Sequence, residues 1–264
     1  MSYERRLAAL RSQLSELDGL LVAFSGGVDS AVLLQAAVET LGTRALGVIA
    51  DSPSLPRAEL KQARELAGAM GARLRVVSTQ ELEQEAYRVN SGDRCFYCKN
   101  ALFEAMVRVG KEEGIDHLAF GEIIEDRLDT RPGARAAKQW QVLAPLSAAG
   151  LGKDDVRRRA RELGLDVWDK PASACLASRI PVGTRVTADL LAQVERAEEG
   201  LRGLGLRELR VRHKGVQARL ELGEGDWERG LRMKSQIEAC LASSGFERVE
   251  WARYVPGHLR VSKT

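Results

Sequence analysis

"FSGGVDS", at residues 24 to 30, is the segment that decides how the first part of the chain folds. It follows an apolar run, GLLVAF (19 to 24), that predicts a strand, and it opens a segment of helical period from Ser30 to Leu41. Further along, strand-sized apolar runs keep alternating with helical segments. This alternation is typical of an α/β fold, with a Rossmann-like parallel sheet covered by helices.

The other predicted elements fall into two groups. The first group has strands at 44–50, 73–78 and 117–121 and helices at 56–69, 101–113 and 153–163. The second group, after a change of composition near residue 185, has helices at 188–204 and 226–242 and strands in ELRVRH, VQARLEL and FERVEWARY. The sequence therefore predicts a larger domain, 1–185, and a smaller α/β domain, 186–264.

The composition describes an ordinary globular chain of 264 residues, 44% hydrophobic and 29% charged. Its first residues are charged rather than signal-like, and its apolar runs are too short to span a membrane, so a cytoplasmic protein is predicted. In that reducing compartment the four cysteines are expected to be thiols or metal ligands rather than disulfides. The net charge of +3 decides little, although a dedicated nucleic-acid binder usually has a stronger basic excess.

The chemistry of residues 24 to 30 is that of an anion cradle. Gly26 and Gly27 allow a tight turn with bare amides, and Ser25 and Ser30 add hydroxyl groups. The N-terminus of the following helix contributes a partial positive charge. An ordinary strand-to-helix turn, capped by Asp29, is the alternative.

The string SGGVDS resembles the PP-loop of the N-type ATP pyrophosphatases, which split ATP between its α and β phosphates and place AMP on a substrate oxygen. The resemblance implies that the loop residues hold the leaving pyrophosphate, with Asp29 near Mg²⁺. The implied nucleotide-binding residues are Ser25, Gly26, Gly27, Asp29 and Ser30 in the loop, and Asp51 and Ser52 after the second strand, which would contact the adenosine.

Cys175 is the candidate nucleophile that would attack an activated substrate carbon. It lies in WDKPASACLASRIPVGTRVT (168 to 187), where Lys170, Arg179 and Arg185 are close in sequence and favour a thiolate. A buried structural cysteine is the alternative reading. Cys240 lies in an apolar helical run and is predicted to belong to a core.

Cys95 and Cys98 form a CxxC pair in GDRCFYCKNALF (92 to 103). The pair is compatible with a metal or cluster site, a redox pair or incidental thiols. A closed zinc site requires four ligands, and the three histidines show no zinc-ligand spacing. The missing fourth ligand argues against a closed zinc site.

Several motifs together resemble the LarE family of ATP-dependent sulfur transferases, in the family's order and at about its spacing. They are SGGVDS, ADSPSLPRAEL (50–60), DTRPGARAA (129–137), the stretch from LAPLSAAG to SRIPVGT (143–184) and LRVRH (209–213). The resemblance implies assembly of the nickel-pincer nucleotide cofactor of lactate racemase. Pyridinium-3,5-biscarboxylic acid mononucleotide would be adenylylated, attacked by protein-bound sulfur and released as a thiocarboxylate. It also implies a homo-oligomer.

Carried onto this chain, Cys175 matches the family cysteine whose sulfur reaches the substrate. Family members with an added CxxC are thought to bind a [4Fe-4S] cluster through three cysteines, which would be Cys95, Cys98 and Cys175 here. Sulfide or another donor would then resupply the sulfur. In members without the pair, that cysteine is sacrificed and leaves dehydroalanine.

The anionic substrate implied by the resemblance requires cations. Arg210 and Arg212 share one face of a predicted strand, because side chains alternate along it. The implied substrate-binding set is Arg179, Glu198, Arg210, Arg212 and Glu221, with solvated acids as the alternative for the two glutamates. The loop residues expected to close on the nucleotide are Asp126, Asp129 and Arg131, with loop capping as the alternative.

The chain departs from the family pattern in its tail, ARYVPGHLRVSKT, and in GEIIED (121 to 126). Three other functions remain open. A cluster-dependent tRNA thiolation enzyme would share the PP-loop and the cysteines but requires a broad basic surface. A non-catalytic nucleotide-binding module would release no pyrophosphate, and an ammonia-using amidating enzyme would have no use for Cys175.

Overall fold

The computed structural model describes residues 1–128, 132–170 and 174–255. These residues form two compact units. The first has residues 1–87 together with the described part of the chain from 91 to 170, and the second has residues 88–90 and the chain from 174 onward. The boundary near residue 185 between the two predicted domains stays a prediction.

The first unit contains a four-stranded sheet in which each adjacent pair of strands is parallel. Its strands are β1 (Leu20–Ala23), β2 (Ala45–Asp51), β3 (Arg73–Ser78) and β4 (Leu118–Phe120). They are arranged in the order β3-β2-β1-β4. The predicted α/β fold with a parallel sheet is confirmed.

Helices of the first part of the chain cover this sheet, with short 3-10 turns between some of them. They are α1 (Tyr3–Ser15), α2 (Val28–Leu41), α3 (Arg57–Ala69), α4 (Glu85–Val89), α5 (Arg94–Glu113), α6 (Pro132–Gln139), α7 (Pro145–Ala148) and α8 (Lys153–Glu162). Within the described residues, no helix is both long and apolar enough to span a bilayer.

Each face of the sheet is covered because both faces of β1 are apolar. Leu20 and Val22 belong to a core with residues of α1, α2, α3 and α8. Leu21, which points to the other face, belongs to a second core with residues of α5 and α6. A strand buried on both faces reads as a continuous apolar run, as LLVA does.

Strand order places a crevice at one end of β1. The chain moves outward from β1 to β2 and β3, and then returns to add β4 on the other side of β1. Connections therefore leave the carboxyl ends of β1 and β4 in opposite directions. In open parallel sheets, ligands bind at such a switch point.

Helix α5 begins at Arg94, about two turns before the predicted start at Ala101. Phe96 packs against the second core, and the Asn100 side chain accepts a hydrogen bond from Trp140 Nε1 at 2.9 Å. These tertiary contacts stabilise the first turns of α5, which the local sequence pattern does not predict. As a result, Cys95 and Cys98 both lie near the start of α5, three positions apart and on neighbouring positions of its surface.

The second unit contains a three-stranded sheet with helices packed on it. Its elements are α9 (Ala188–Gly203), β5 (Leu209–Lys214), β6 (Gln217–Leu222), α10 (Glu224–Arg232), α11 (Lys234–Ser243) and β7 (Arg248–Arg253). The strand order is β5-β6-β7, with the first pair antiparallel and the second parallel. Its core has Val211, Leu220 and Leu241, and Cys240 packs against it as predicted.

One helix prediction in this unit is wrong. The segment predicted as a single helix, 226–242, is two helices separated at Met233, whose φ and ψ are −101° and 17°. Gly230 sits so close to the sheet that a Cβ there would lie 2.4 Å from Leu222 Cδ1.

Candidate active site

The SGGVDS loop lies between the carboxyl end of β1 and the first turn of α2. Gly26 has φ +71°, and a Cβ at this position would lie 2.9 Å from Ala63 Cβ. Only glycine satisfies both the backbone conformation and the close approach of α3. Gly27 is the N-cap of α2 and no side chain caps the helix, so Asp29 does not serve as a cap.

Two serines close the loop on itself. Ser30 Oγ accepts from the Ser25 amide at 3.2 Å and donates to the Gly27 carbonyl at 3.0 Å. The first helical bond runs from the Ala31 amide to the same carbonyl. The amides at residues 28 to 30 precede that bond, so they are available to an anion at the helix N-terminus.

A cavity of about 300 Å³ opens beside this loop, at the switch point between β1 and β4. The residues that line it are Ala23, Phe24, Ser25, Gly27, Asp29, Ser30, Lys99, Leu102, Phe120, Gly121, Glu122, Asp126 and Ala134. Gly121 makes this approach possible, because a Cβ there would lie 2.8 Å from the Ser30 amide nitrogen. Of the predicted loop residues, Ser25, Gly27, Asp29 and Ser30 thus share one cavity with the end of β4, whereas Gly26 is absent from its described lining.

Two acidic residues predicted as nucleotide ligands line the cavity. Asp29 accepts two hydrogen bonds from Lys153 Nζ, at 2.9 and 2.7 Å. Asp126 Oδ2 accepts from the Ile123 amide at 3.3 Å, which is the loop-capping contact weighed above. Carboxylate oxygens are the ligands that Mg²⁺ prefers, so the donor set fits that ion. In this structure the Lys153 ammonium holds both oxygens of the Asp29 carboxylate, where a metal ion would bind.

Lys99 also lines the cavity, and sequence reasoning did not identify it. Its Nζ lies 4.7 Å from the centroid of the Phe120 ring. Burial lowers the pKa of the Lys99 ammonium, even though the Cys95 thiol and the carboxyls of Glu122 and Asp126 act in the opposite direction. The sequence signal available was only a lysine directly after the CxxC pair.

Asp51 and Ser52 lie at the end of β2 and are absent from the described lining of this cavity. Asp51 forms an ion pair with Arg57 at 2.5 Å. Ser52 is buried, and its Oγ lies 3.1 Å from Ser54 Oγ, within a polar network that also includes buried Glu81. Their role in adenosine binding stays a prediction.

Two further nucleotide-loop predictions, Asp129 and Arg131, lie outside the described residues.

Neither CxxC cysteine forms a disulfide within the described residues, and Cys95 is exposed whereas Cys98 is half-buried. Their spacing on neighbouring helical positions suits a pair of thiolate ligands. Within the described ranges, no three His, Cys, Asp or Glu side chains are grouped as a metal site. The pair can supply two thiolates, and the cluster with its three cysteine ligands stays a prediction.

In the second unit, Arg179 and Glu198 form a buried ion pair. Arg179 Nε and Nη2 donate to the two oxygens of Glu198 at 2.8 and 3.0 Å, and both side chains are at most 1% exposed. Burial opposes the charged carboxylate, but the contacts with Arg179 outweigh it, and the pKa of Glu198 lies below its usual range. Glu198 also accepts the amide of Val211 on the edge strand β5 at 3.0 Å.

Arg179 in turn holds the backbone around Cys175. Its Nη1 donates to the carbonyls of Ala174 at 2.5 Å and Cys175 at 3.1 Å. Cys175 precedes the 3-10 turn Leu176–Arg179, and its thiol is free and exposed. Arg179 thus contacts the segment that carries the candidate nucleophile.

Arg210 and Arg212 extend the same charged cluster. Arg212 Nε donates to Glu221 Oε2 at 2.8 Å, and its Nη1 donates to the Ser178 carbonyl at 3.1 Å. Arg210 is buried, and burial and the charge of Arg179 lower its pKa. The cluster comprises Arg179, Arg202, Arg210 and Arg212 against Glu198 and Glu221, and so carries an excess of positive charge.

Comparison with known proteins provides three informative relatives. An uncharacterized protein of Synechocystis sp. is 39% identical over 219 residues, 83% of this chain and 82% of that protein. The pyridinium-3,5-bisthiocarboxylic acid mononucleotide synthase of Lactiplantibacillus plantarum is 35% identical over 243 residues, 92% of this chain and 88% of the synthase. A glutamine-hydrolyzing GMP synthase of Thermobifida fusca is 30% identical over 227 residues, 74% of this chain and 42% of that enzyme. No protein-family model matches the chain.

Proposed function

The chain belongs to the LarE family, that of the pyridinium-3,5-bisthiocarboxylic acid mononucleotide synthases, and from this premise we propose that it converts a carboxylate of a pyridinium mononucleotide into a thiocarboxylate. It is an ATP-using enzyme of the PP-loop type. The proposed substrate is pyridinium-3,5-biscarboxylic acid mononucleotide, and the proposed product serves the nickel-pincer nucleotide of lactate racemase.

The main support for the proposal is the position of the SGGVDS loop at the switch point of the sheet. There its amides and the Asp29 side chain border the same cavity. In the proposed first step, a substrate carboxylate oxygen attacks the α-phosphorus of ATP, and the bond to the β-phosphate oxygen breaks. Negative charge builds up on the leaving pyrophosphate. The loop amides and the N-terminus of α2 stabilise that charge.

Mg²⁺ fits the acids of the cavity by donor chemistry, with Asp29 and Asp126 as its proposed ligands. Bound there, the ion would neutralise polyphosphate charge. Asp29 can contribute only after its carboxylate separates from Lys153. Both side chains of that pair are about one third exposed, so separation requires no unfolding.

The positive cluster of the second unit supports an anionic substrate. Arginine forks hold carboxylate and phosphate groups through two hydrogen bonds. Arg210 and Arg212 are the proposed substrate cations. Glu221 bonds the Arg212 side chain, and Glu198 bonds the Val211 amide between the two arginines. Arg179 already makes two bonds to Glu198 and two to the backbone at residues 174 and 175, so its proposed role includes the placement of Cys175.

Sulfur is proposed to reach the adenylylated carbon by way of Cys175, with displacement of AMP. Cys95, Cys98 and Cys175 are the proposed ligands of a [4Fe-4S] cluster, supported by the spacing of Cys95 and Cys98 on one helix and by the exposure of Cys95 and Cys175. Such a cluster would supply exchangeable sulfide, replenished from sulfide or another donor. Without it, loss of the Cys175 sulfur and a proton from its Cα would leave dehydroalanine.

The deciding experiment measures iron and acid-labile sulfide in protein purified without oxygen, together with pyrophosphate release on addition of the pyridinium substrate. About four irons and four sulfides per chain, lost in Cys95→Ala, Cys98→Ala and Cys175→Ala but kept in Cys240→Ala, are expected. If the folded protein contains no iron and still transfers sulfur once, the sulfur comes from sacrifice of Cys175 and not from a cluster. Pyrophosphate release that responds to tRNA and not to the pyridinium substrate would overturn the proposed substrate.

A further inference from the structure

Lys99 is a cation of the ATP-loop cavity to which the proposed reaction has so far assigned no role. It lies on α5, one turn after Cys95, and its side chain lines the same cavity as Gly27 and Ser30. The inference drawn from it rests on the proposed use of ATP at that cavity.

The stem of Lys99 is held in place by close packing. A Cβ added at Gly133 would lie 2.9 Å from Lys99 Cδ and 3.0 Å from its Cε. The aliphatic part of the side chain therefore runs directly over a glycine of α6, where a larger residue would displace it. This packing directs the ammonium toward the cavity and restricts the freedom that an exposed lysine would have.

The ammonium of Lys99 has an aromatic neighbour, with its Nζ 4.7 Å from the Phe120 ring centroid at the end of β4. In the part of the chain that the structure describes, no carboxylate forms an ion pair with it. A cation withdrawn from water is normally compensated by a partner charge. Lys99 therefore remains able to take an anion that enters the cavity.

The other charges around the cavity define that anion. Asp29 is compensated by Lys153, whereas the carboxyls of Glu122 and Asp126 also face the cavity. A ligand that suits both Lys99 and these acids must be strongly anionic and accompanied by a cation. Magnesium polyphosphate meets both requirements, whereas adenosine alone would leave Lys99 without a partner.

We propose that Lys99 is a phosphate-binding residue of the nucleotide site, and that its ammonium contacts the polyphosphate chain from α5 while the loop amides contact it from α2. The nearby thiols of Cys95 and Cys98 are the competing partners for this charge. A polyphosphate partner predicts a defect confined to phosphate-bearing ligands, and a thiol partner predicts none.

The test is calorimetric binding of magnesium pyrophosphate and of adenosine to the full chain, with steady-state pyrophosphate release as a second readout. Lys99→Met removes the charge and keeps the stem, Lys99→Arg restores a cation, and Lys111→Met, exposed near the far end of the same helix, is the matched control. Loss of one charge-assisted contact weakens binding by about tenfold or more. We expect that loss for pyrophosphate with Lys99→Met, at least partial recovery with Lys99→Arg, and adenosine affinity unchanged within about twofold.

Three results would overturn the inference. One is wild-type pyrophosphate affinity in Lys99→Met, which would point to the thiols as partners. Another is an equal weakening of pyrophosphate and adenosine, which would indicate a structural role. The third is absence of pyrophosphate binding in the wild type, which would overturn the proposed function as well. The first two results would overturn only the inference about Lys99. Lys99→Gln replaces Lys99→Met if the latter does not fold.

Discussion

Two ion pairs, one in each unit, have nearly the same geometry and opposite surroundings. Lys153 reaches both oxygens of Asp29 at 2.7 and 2.9 Å, and Arg179 reaches both oxygens of Glu198 at 2.8 and 3.0 Å. The first pair is 36% and 27% exposed, whereas the second is 1% and 0% exposed. Exposure, rather than geometry, separates a pair that can open from one that holds a structure together.

Water compensates the charges of an exposed pair when it separates, so opening costs little. A buried pair has no such compensation, and its separation leaves a desolvated charge. The Asp29 pair therefore suits a residue that must exchange a lysine for a metal ion. The Glu198 pair suits a structural role, because it fixes the backbone at Cys175 and the arginine cluster in their positions.

The largest effect is expected for Glu198→Ala, which strands the buried guanidinium of Arg179. Removal of one partner from a buried pair destabilises a protein by about 3–5 kcal/mol. Urea unfolding followed by circular dichroism should show this loss in the free energy of unfolding. The matched control is Glu250→Ala, which removes partly exposed pairs with Lys214 at 2.8 Å and Arg219 at 3.2 Å and is expected to cost about 1 kcal/mol or less. Equal losses for both variants would contradict the distinction drawn from burial.

Asp29→Asn is expected to affect catalysis and spare stability. Loss of a proposed metal ligand should slow pyrophosphate release by about 100-fold or more. The free energy of unfolding should change by about 1 kcal/mol at most, because the pair with Lys153 is exposed. Asp154→Asn, exposed in the first turn of α8, is the control for charge removal nearby. Unchanged pyrophosphate release in Asp29→Asn would separate this residue from the reaction.

Acid should act on the buried pair through the lowered pKa of Glu198. A carboxyl whose pKa is lower in the folded state stabilises the fold above its unfolded pKa, about 4.3, and loses that contribution as the pH falls through its folded pKa. The stability difference between wild type and Glu198→Gln should shrink by up to about 1.4 kcal/mol per pH unit below about pH 4.3. Urea midpoints collected across that range test this sign. A difference that grows in acid would mean that the pKa is raised.

The smallest effect is expected for Lys153→Met, which frees Asp29 in the nucleotide-free protein. Manganese, used as a paramagnetic substitute for Mg²⁺, should bind about fivefold more tightly, the equivalent of an exposed ion pair. Electron paramagnetic resonance of free Mn²⁺ provides the measurement, with Lys61→Met as a control from another exposed pair. Identical manganese affinity in Lys153→Met and wild type would show that Lys153 does not compete with metal.

Local patterns predicted much of the architecture. Apolar runs and helical periods predicted all four strands of the first sheet, because both signals depend on residues within a few positions of each other. The same reasoning started α5 at Ala101 and joined α10 to α11. For α5, contacts with distant residues decided the outcome, through Phe96 on the second core and Trp140 on Asn100.

The candidate site shows the same division. The SGGVDS loop was recognisable because its glycines and serines act on their own backbone. Lys153 meets Asp29 across 124 positions of sequence, and Lys99 reaches the cavity only because α5 packs beside β1 and β4. No local pattern identifies such partners, since the order of the strands determines which helices face the crevice.

By itself, therefore, the sequence determined the strand, turn and helix around the phosphate-binding loop, the α/β class and the resemblance that names the family. Tertiary structure alone decided which charges meet: Lys153 on Asp29, Lys99 at the cavity and Arg179 on Glu198. The physical reason is range. Backbone conformation responds to neighbouring residues, whereas the pairing and burial of charges depend on how whole elements pack.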